Sequence, residues 1–591
     1  MRKRRARPRP RDRVLVTHAV TTTRTRVLLA SFVLALVAVG AYLWRPAPAP
    51  APAAPRTGGA LVATIRSEPR SLNRLVARDR ASQLVSQLWQ ARLVRINLAT
   101  QELEPALAER WDVSDDGRAY TFHLRKGVTF SDGAPFTARD VAFTLSAVFD
   151  ARVASPLASL LAVGGAPPEV SVLDDHTVTL RYAAPFAPAL RSLDSVPILP
   201  AHRLAQALAD GTFRDAWTVT TPPAELAGLG PFVLREYVAG QRIEFERNPR
   251  YWKRDEQGQP LPRLDRLTLM IVPDQNAEML RLESGEADLV SSEARAEDGA
   301  AVRTAAEAGR LQVVEAGVGL DADMLWFNLR PDAPRPPATA WLVAPELRRA
   351  ISLGVDRQAF VDVVLLGAGT PVDGPITPGN RRYADPARPA PRHDPAEAAR
   401  LLDAIGLRDR DGDGTRETPA GGPARFTLLT QKGNAVRERG AAFLQQEIGK
   451  LGLGVDLVPL EVGALVERIT KGDYDAAWFG VVSSDAEPHL DFWLSSGSFH
   501  VWHPEQASPA TDWERRIDEA VRAMVAARDE AERVRHVRAA EREFDAPLPV
   551  IYFAAPRVVI GMSARVGDAR PSVLQPNVLW DAERLTVRTR Q

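Results

Sequence analysis

From Leu61 onward, short apolar runs alternate with longer amphipathic stretches, and this alternation limits the possible folds more than any other feature of the chain. LVATI (61–65), TVTLRY (177–182), RIEFER (242–247), RLTLMIV (266–272), LQVVEA (311–316) and RFTLLT (425–430) are short, alternating or β-branched, and bounded by Gly, Pro or Asp. Those are strand signals. The stretches 346–366, 394–406, 435–452 and, longest, 511–544 read as helices. In the last of these Trp513, Ile517, Ala520, Val521, Met524 and Val525 recur at helical spacing, with Thr511 or Asp512 as the cap. No fixed-period repeat is present, which excludes a solenoid or propeller. Interleaved strands and helices at this length predict an α/β protein of two lobes, each a twisted sheet flanked by helices, with any ligand in the crevice between them.

Composition narrows the chemistry. With 45% apolar and 25% charged residues the chain is an ordinary globular protein, neither wholly disordered nor polytopic. It contains no cysteine, so disulfides, a thiol nucleophile, Cys-ligated zinc, iron–sulfur clusters and a cysteine-borne lipid are all excluded. The net charge of +1 hides an asymmetry: ten Lys/Arg against Asp12 give residues 1–26 a charge of +9, leaving +1 − 9 = −8 for the remainder. The uncharged run Val27–Trp44 follows, flanked by Arg26 and Arg45. At ~1.5 Å per residue it spans the bilayer core, and the arginine excess keeps the N-terminus in the cytoplasm. It serves equally as a retained anchor or as a signal cleaved near Val39-Gly40-Ala41. RPAPAPAPAAPRTGG (45–59) is an extended tether. Beside the apolar run the basic tail reads as an orientation signal and not as a nucleic-acid arm, because the acidic remainder offers no basic stripe to continue one.

The common catalytic signatures lack their carriers: there is no G-x-S-x-G, no H-E-x-x-H and no G-x-x-x-x-G-K-[ST]. Gly317-Val318-Gly319 leads into the strand-like MLWFNL (324–329), where a dinucleotide fingerprint requires a helix. Asp409, Asp411 and Asp413 fall at calcium-loop positions, yet the twelfth position is Ala420 instead of a bidentate Glu, so the segment reads as a solvated turn. His489, His500 and His503, among Asp485, Glu487 and Asp491, leave a second reading open: metal or metal-chelate binding, or a metallohydrolase.

Glu102–Leu145, with its ERWDVSDDGRAYTFHLRKGVTFSDGAPFTARDVAFTL, resembles the signature of bacterial extracellular solute-binding proteins of family 5, the oligopeptide, dipeptide and nickel class serving ABC importers. The resemblance continues through 228–252, 280–290, 325–329, 347–360 and GDYDAAWFG (472–480), and so covers roughly the whole body after the tether. The segment also has a local reading. Asp115-Asp116-Gly117 is a tight turn between paired strands, Phe130, Phe136 and Phe143 pack a small core, and Thr137 caps a helix with Asp140 at its third position. Asn248–Trp252 ends a strand and is expected where the lobes join.

The resemblance implies a type II-like periplasmic-binding-protein clamp with an extra small N-terminal subdomain, preceded by one signal or transmembrane helix. Lobe I is expected over 60–315 plus 556–591, with the subdomain at about 99–217, and lobe II over 316–555. It further implies a monomeric, non-catalytic receptor without cofactor or resident metal, binding a peptide or other small polar solute. That receptor would work at the outer face of the cell membrane with an ABC permease and ATPase, and would bind no nucleic acid. Aligned on Pro488, the position that pairs a peptide's amine falls on Ser484, with Asp485 beside it. The expected pocket lining is Trp478, Ser484, Asp485, Trp493, His500 and Trp502, with Asn328 opposite and Asp485 as the charged contact.

Overall fold

In the computed structural model, residues 58–588 are described apart from 291–293, 332, 334–336 and 481–484. The basic tail, the apolar run, the tether as far as 57 and Ser484 therefore lie outside the described residues. Alternation places Leu61, Ala63 and Ile65 on the buried face of the strand Ala60–Ile65. This strand runs parallel to Arg266–Ile271, which continues antiparallel into Arg242–Arg247 and Phe232–Val238. A second antiparallel sheet, in the order Ala108–Val113, Ala119–Leu124, Thr177–Arg181 and Glu169–Asp174, carries the hairpin read from the sequence. Its turn places Gly117 at φ +66°, which glycine adopts without a Cβ penalty. Thr137 and Asp140 form the expected reciprocal cap on the helix Ala138–Phe149. Phe130 and Phe136 are fully buried beside it, each contributing roughly 1.5–3 kcal/mol by leaving water.

The second half of the chain builds a five-stranded sheet ordered Gly454–Leu460, Arg425–Gln431, Ala476–Phe479, Met324–Phe327 and Val550–Tyr552. The first three strands are mutually parallel and Met324–Phe327 pairs antiparallel with its neighbours on both sides, while the helix Ala435–Lys450 makes the crossover that a parallel neighbour requires. Between the two halves run Leu311–Val318 and the ten-residue strand Ala554–Ser563, paired antiparallel. The latter pairs through Ala554–Pro556 with Gly369–Pro371 and through its remainder with Leu311–Val318, so one strand belongs to both halves. A bulge between Glu315 and Gly317, with Gly317 at φ +125°, bends its partner. The largest core draws on residues 61–289 and 558–587, whereas two further cores lie within 324–555.

Two long helical runs differ from the expectation. The stretch 346–366 divides into Pro345–Gly354 and Arg357–Val364, because Asp356 accepts hydrogen bonds from the Gln358 and Ala359 amides and so starts a new helix. Likewise 511–544 divides into Asp512–Ala526 and Glu530–Asp545 at extended Ala527, with Asp529 capping the second helix. The cap of the first is Thr511. Asn248–Trp252 does not lie between the halves: Tyr251 donates to Glu583, and Arg125 stacks on Trp252 within the first.

Candidate binding cleft

A cavity of about 610 Å³ opens where the two halves meet. The first half contributes Arg66, Arg80, Gln275, Arg295 and Arg303, and the second contributes Phe360, Leu365, Val436, Arg437 and Trp478. The strands common to both add Val313, Glu315 and Pro556–Val559. Four of the arginines have a carboxylate partner. Arg437 lies 2.9 Å from Asp323, Arg557 2.6 Å from Glu315, Arg295 2.7 Å from Asp298 and Arg66 3.4 Å from Glu278. Burial pushes the Glu278 carboxyl up from its ordinary value, and the Thr64 hydroxyl and Arg66 only partly offset that rise.

Trp478 reaches the cavity from the strand Ala476–Phe479 while remaining only 2% exposed. Its ring packs edge-on against Phe360 at 5.7 Å, and its indole N–H has no acceptor. That nitrogen sits against Gly440, where an added Cβ would stand 2.8 Å away, so glycine is required on the facing helix.

A smaller pocket of about 70 Å³ shares Leu320, Asp321 and Ala322 with the cleft and is lined by Asp485, Glu487, His489, Trp493 and Tyr552. Its carboxylates are engaged. The Arg191 guanidinium, 3% exposed and belonging to the first half, donates through Nε to Asp485 Oδ2 at 2.7 Å and through Nη2 to Oδ1, a bidentate pair. Arg191 also donates to the Gln101 carbonyl at 3.0 Å and lies 3.3 Å from Glu487. Glu487 receives Arg382 at 2.7 Å, the Tyr383 hydroxyl at 3.0 Å and Arg533. Burial depresses the Arg382 cation, but Glu487 and Glu530 outweigh it and raise its pKa. Around this network Gln101 Nε2 donates to the Gly379 carbonyl at 2.8 Å, and Ile96 and Leu98 pack on Leu320 and Ala486. The two halves are thus joined by an ionic and apolar contact as well as by their common strands.

The remaining residues singled out from the sequence lie elsewhere. Asn328 does not face Asp485 across a gap. It follows the strand Met324–Phe327, and its amide donates to the Gly472 and Tyr474 carbonyls. His500 and Trp502 line neither cavity: both are buried and converge on Glu514, Trp502 Nε1 donating to Oε1 at 3.2 Å and His500 Nε2 lying 3.4 Å from the same oxygen. Burial alone would raise Glu514, but hydrogen bonds from His500, Thr511, Gln506 and Trp502 hold it at about 2. His489, His500 and His503 do not converge on a metal position. Among the described residues the grouping with suitable spacing is Asp409, Asp411, Asp413 and Glu417, within 4.8 Å of one another. Those carboxylates accept turn amides, Gly412 N and Gly414 N donating to Asp409 and Arg410 N to Glu417.

Sequence reasoning missed Arg191, Glu514, Gly440 and the arginines of the cleft. Thr511-x-x-Glu514 is a legible capping box and signals Glu514. Arg191, Arg66, Arg437 and Arg557 carry no local signal, since their partners are distant in sequence.

Two lobes joined by crossing strands, with a cleft between them, fit what the comparisons find. Residues 102–501 match the family model described as bacterial extracellular solute-binding proteins, family 5 Middle. The di/tripeptide-binding protein 2 of Pseudomonas aeruginosa is 28% identical over 489 residues, 79% of this chain and 84% of that protein. The oligopeptide-binding protein AppA of Bacillus subtilis is 28% identical over 457 residues, 76% of this chain and 79% of that protein. The solved structure of NikA from Brucella suis in complex with Fe(III)-EDTA shares the fold, with a TM-score of 0.74 at 23% identity over 90% of this chain and 100% of that one. Cleft, crossing strands and the long sequence match agree, and the chain belongs to the bacterial extracellular solute-binding proteins of family 5.

Proposed function

We propose that this chain is a non-catalytic extracytoplasmic receptor that encloses a peptide between its lobes and delivers it to an ABC permease and ATPase. The observation that carries the reading is the cleft of about 610 Å³ lined from both lobes and from the strands that join them. A ligand touching both walls stabilises the shut form selectively, so closure follows from population shift. The names of the Pseudomonas and Bacillus relatives support a peptide as cargo. The lobes are taken as 60–315 with 556–591 and as 316–555, a division supported by the separate cores.

Within the cleft Trp478 supplies an apolar wall, and Asp485 and Trp493 line the side pocket. Arg191 already holds Asp485, so a ligand that reaches the side pocket meets this carboxylate as one half of an ion pair. Among the described residues no helix is long and apolar enough to cross a membrane, so the anchor or signal role of 27–44 rests on its sequence.

Thermal-shift and calorimetric titration of the full-length protein with di-, tri- and oligopeptides tests the reading. Saturation at a hundred times the dissociation constant is expected to add about 2.7 kcal/mol of stability. Silence toward every peptide, with a response to a sugar or a metal chelate, would overturn the peptide assignment while leaving a solute receptor.

A further inference from the structure

Resting on the peptide reading above, we infer that the cleft discriminates by charge, taking acidic peptides in preference to basic ones, with Arg80 and Arg303 receiving the additional carboxylate. Six arginines line the cavity against the carboxylates of Glu315, Asp321 and Asp323. Arg66, Arg295, Arg437 and Arg557 each have an acidic partner, whereas Arg80 donates to the neutral amide of Gln575. Arg303 has no ion pair or hydrogen bond among the described residues and folds over Gly299, its Nη1 lying 3.3 Å from where a Cβ there would stand. Both side chains are exposed to the cavity and belong to the first lobe.

While the cleft is open, water solvates these two cations. When the lobes shut on a ligand that water is reduced, and a guanidinium without a counter-charge opposes closure. A carboxylate on the ligand removes the opposition through a bidentate, charge-assisted pair, and a lysine on the ligand increases it. The acids of the side pocket do not cancel this bias, because Asp485 and Glu487 are bound by Arg191, Arg382 and Arg533. Val313, Leu365, Leu366 and Val559 leave apolar wall for the remainder of the ligand.

The test is calorimetry of the full-length protein with Ala-Glu-Ala, Ala-Ala-Ala and Ala-Lys-Ala, repeated on Arg80→Gln, Arg303→Gln and the double variant. Both arginines are exposed, and circular dichroism melting checks that the variants fold. The expected order is Glu tighter than Ala tighter than Lys, each step roughly tenfold, with the spread shrinking at high salt and collapsing in the double variant. Equal affinities for the three peptides, or a spread that the double variant retains, would overturn the charge inference and leave the peptide reading intact. If none of the three binds, the peptide reading and this inference fall together.

Discussion

Glu514 gathers polar groups from three places in the chain: His500 and Trp502, Gln506, and the Thr511 cap of its own helix. A carboxyl held at about 2, against an ordinary 4.5, favours the folded state while it is ionised. The contribution is therefore complete above about pH 4.5 and lost as the pH falls toward 2. The shift corresponds to about 3 kcal/mol. Glu514→Gln is expected to lose stability of that order in urea denaturation at pH 7 and much less at pH 3, and an equal loss at both pH values would refute the charge argument. This residue was legible through its capping box, but the cleft was not. Arg80, Arg303 and Arg437 stand in unrelated segments that meet only after folding. Asp485 was legible as a charged group near the pocket, but its partner Arg191 is 294 positions away.

Among the elements, those set by side-chain period or by a turn were legible. The six strand runs, the Gly117 hairpin and the Thr137 cap follow from side-chain period and turn chemistry. The two helices that break did so at Asp356 and Asp529, acids whose side chains compete for backbone amides while the apolar spacing continues through them. Gly228 and Gly230, within the motif that precedes the strand Phe232–Val238, show a requirement that only packing reveals. A Cβ on Gly228 would stand 2.0 Å from the Trp89 carbonyl oxygen, and one on Gly230 2.4 Å from the Trp89 carbonyl carbon. Both obstacles are backbone atoms at the end of the helix Arg80–Trp89, which cannot yield as a flexible side chain would. Gly228→Ala is expected to cost roughly 1–3 kcal/mol and to lower the melting temperature by several degrees. A melting temperature equal to that of the parent would show that the helix end moves freely.

For the molecule as a whole, the contact of Arg191 with Asp485 and Glu487 joins the lobes independently of any ligand. Asp485→Ala leaves a buried guanidinium with less counter-charge, which costs roughly 3–5 kcal/mol where the lobes stay together and nothing once they part. The expected outcome is a larger radius of gyration by small-angle scattering without ligand, and weaker binding because closure has become harder. Unchanged scattering together with unchanged affinity would show that the pair does not govern closure. The two-lobed α/β design was legible from alternation and resemblance, but the surfaces by which the lobes touch were not, because contact between sequence-distant faces leaves no periodic trace. The strand Ala554–Ser563 carries one more consequence. Since the larger core includes Val558, Ile560, Met562, Val578 and Val587 beside residues 61–289, that lobe closes its core only when these two distant stretches of chain meet. The two cores of the other lobe end at Ala554 and Ala555, so that lobe takes from the crossing strand only its first two residues.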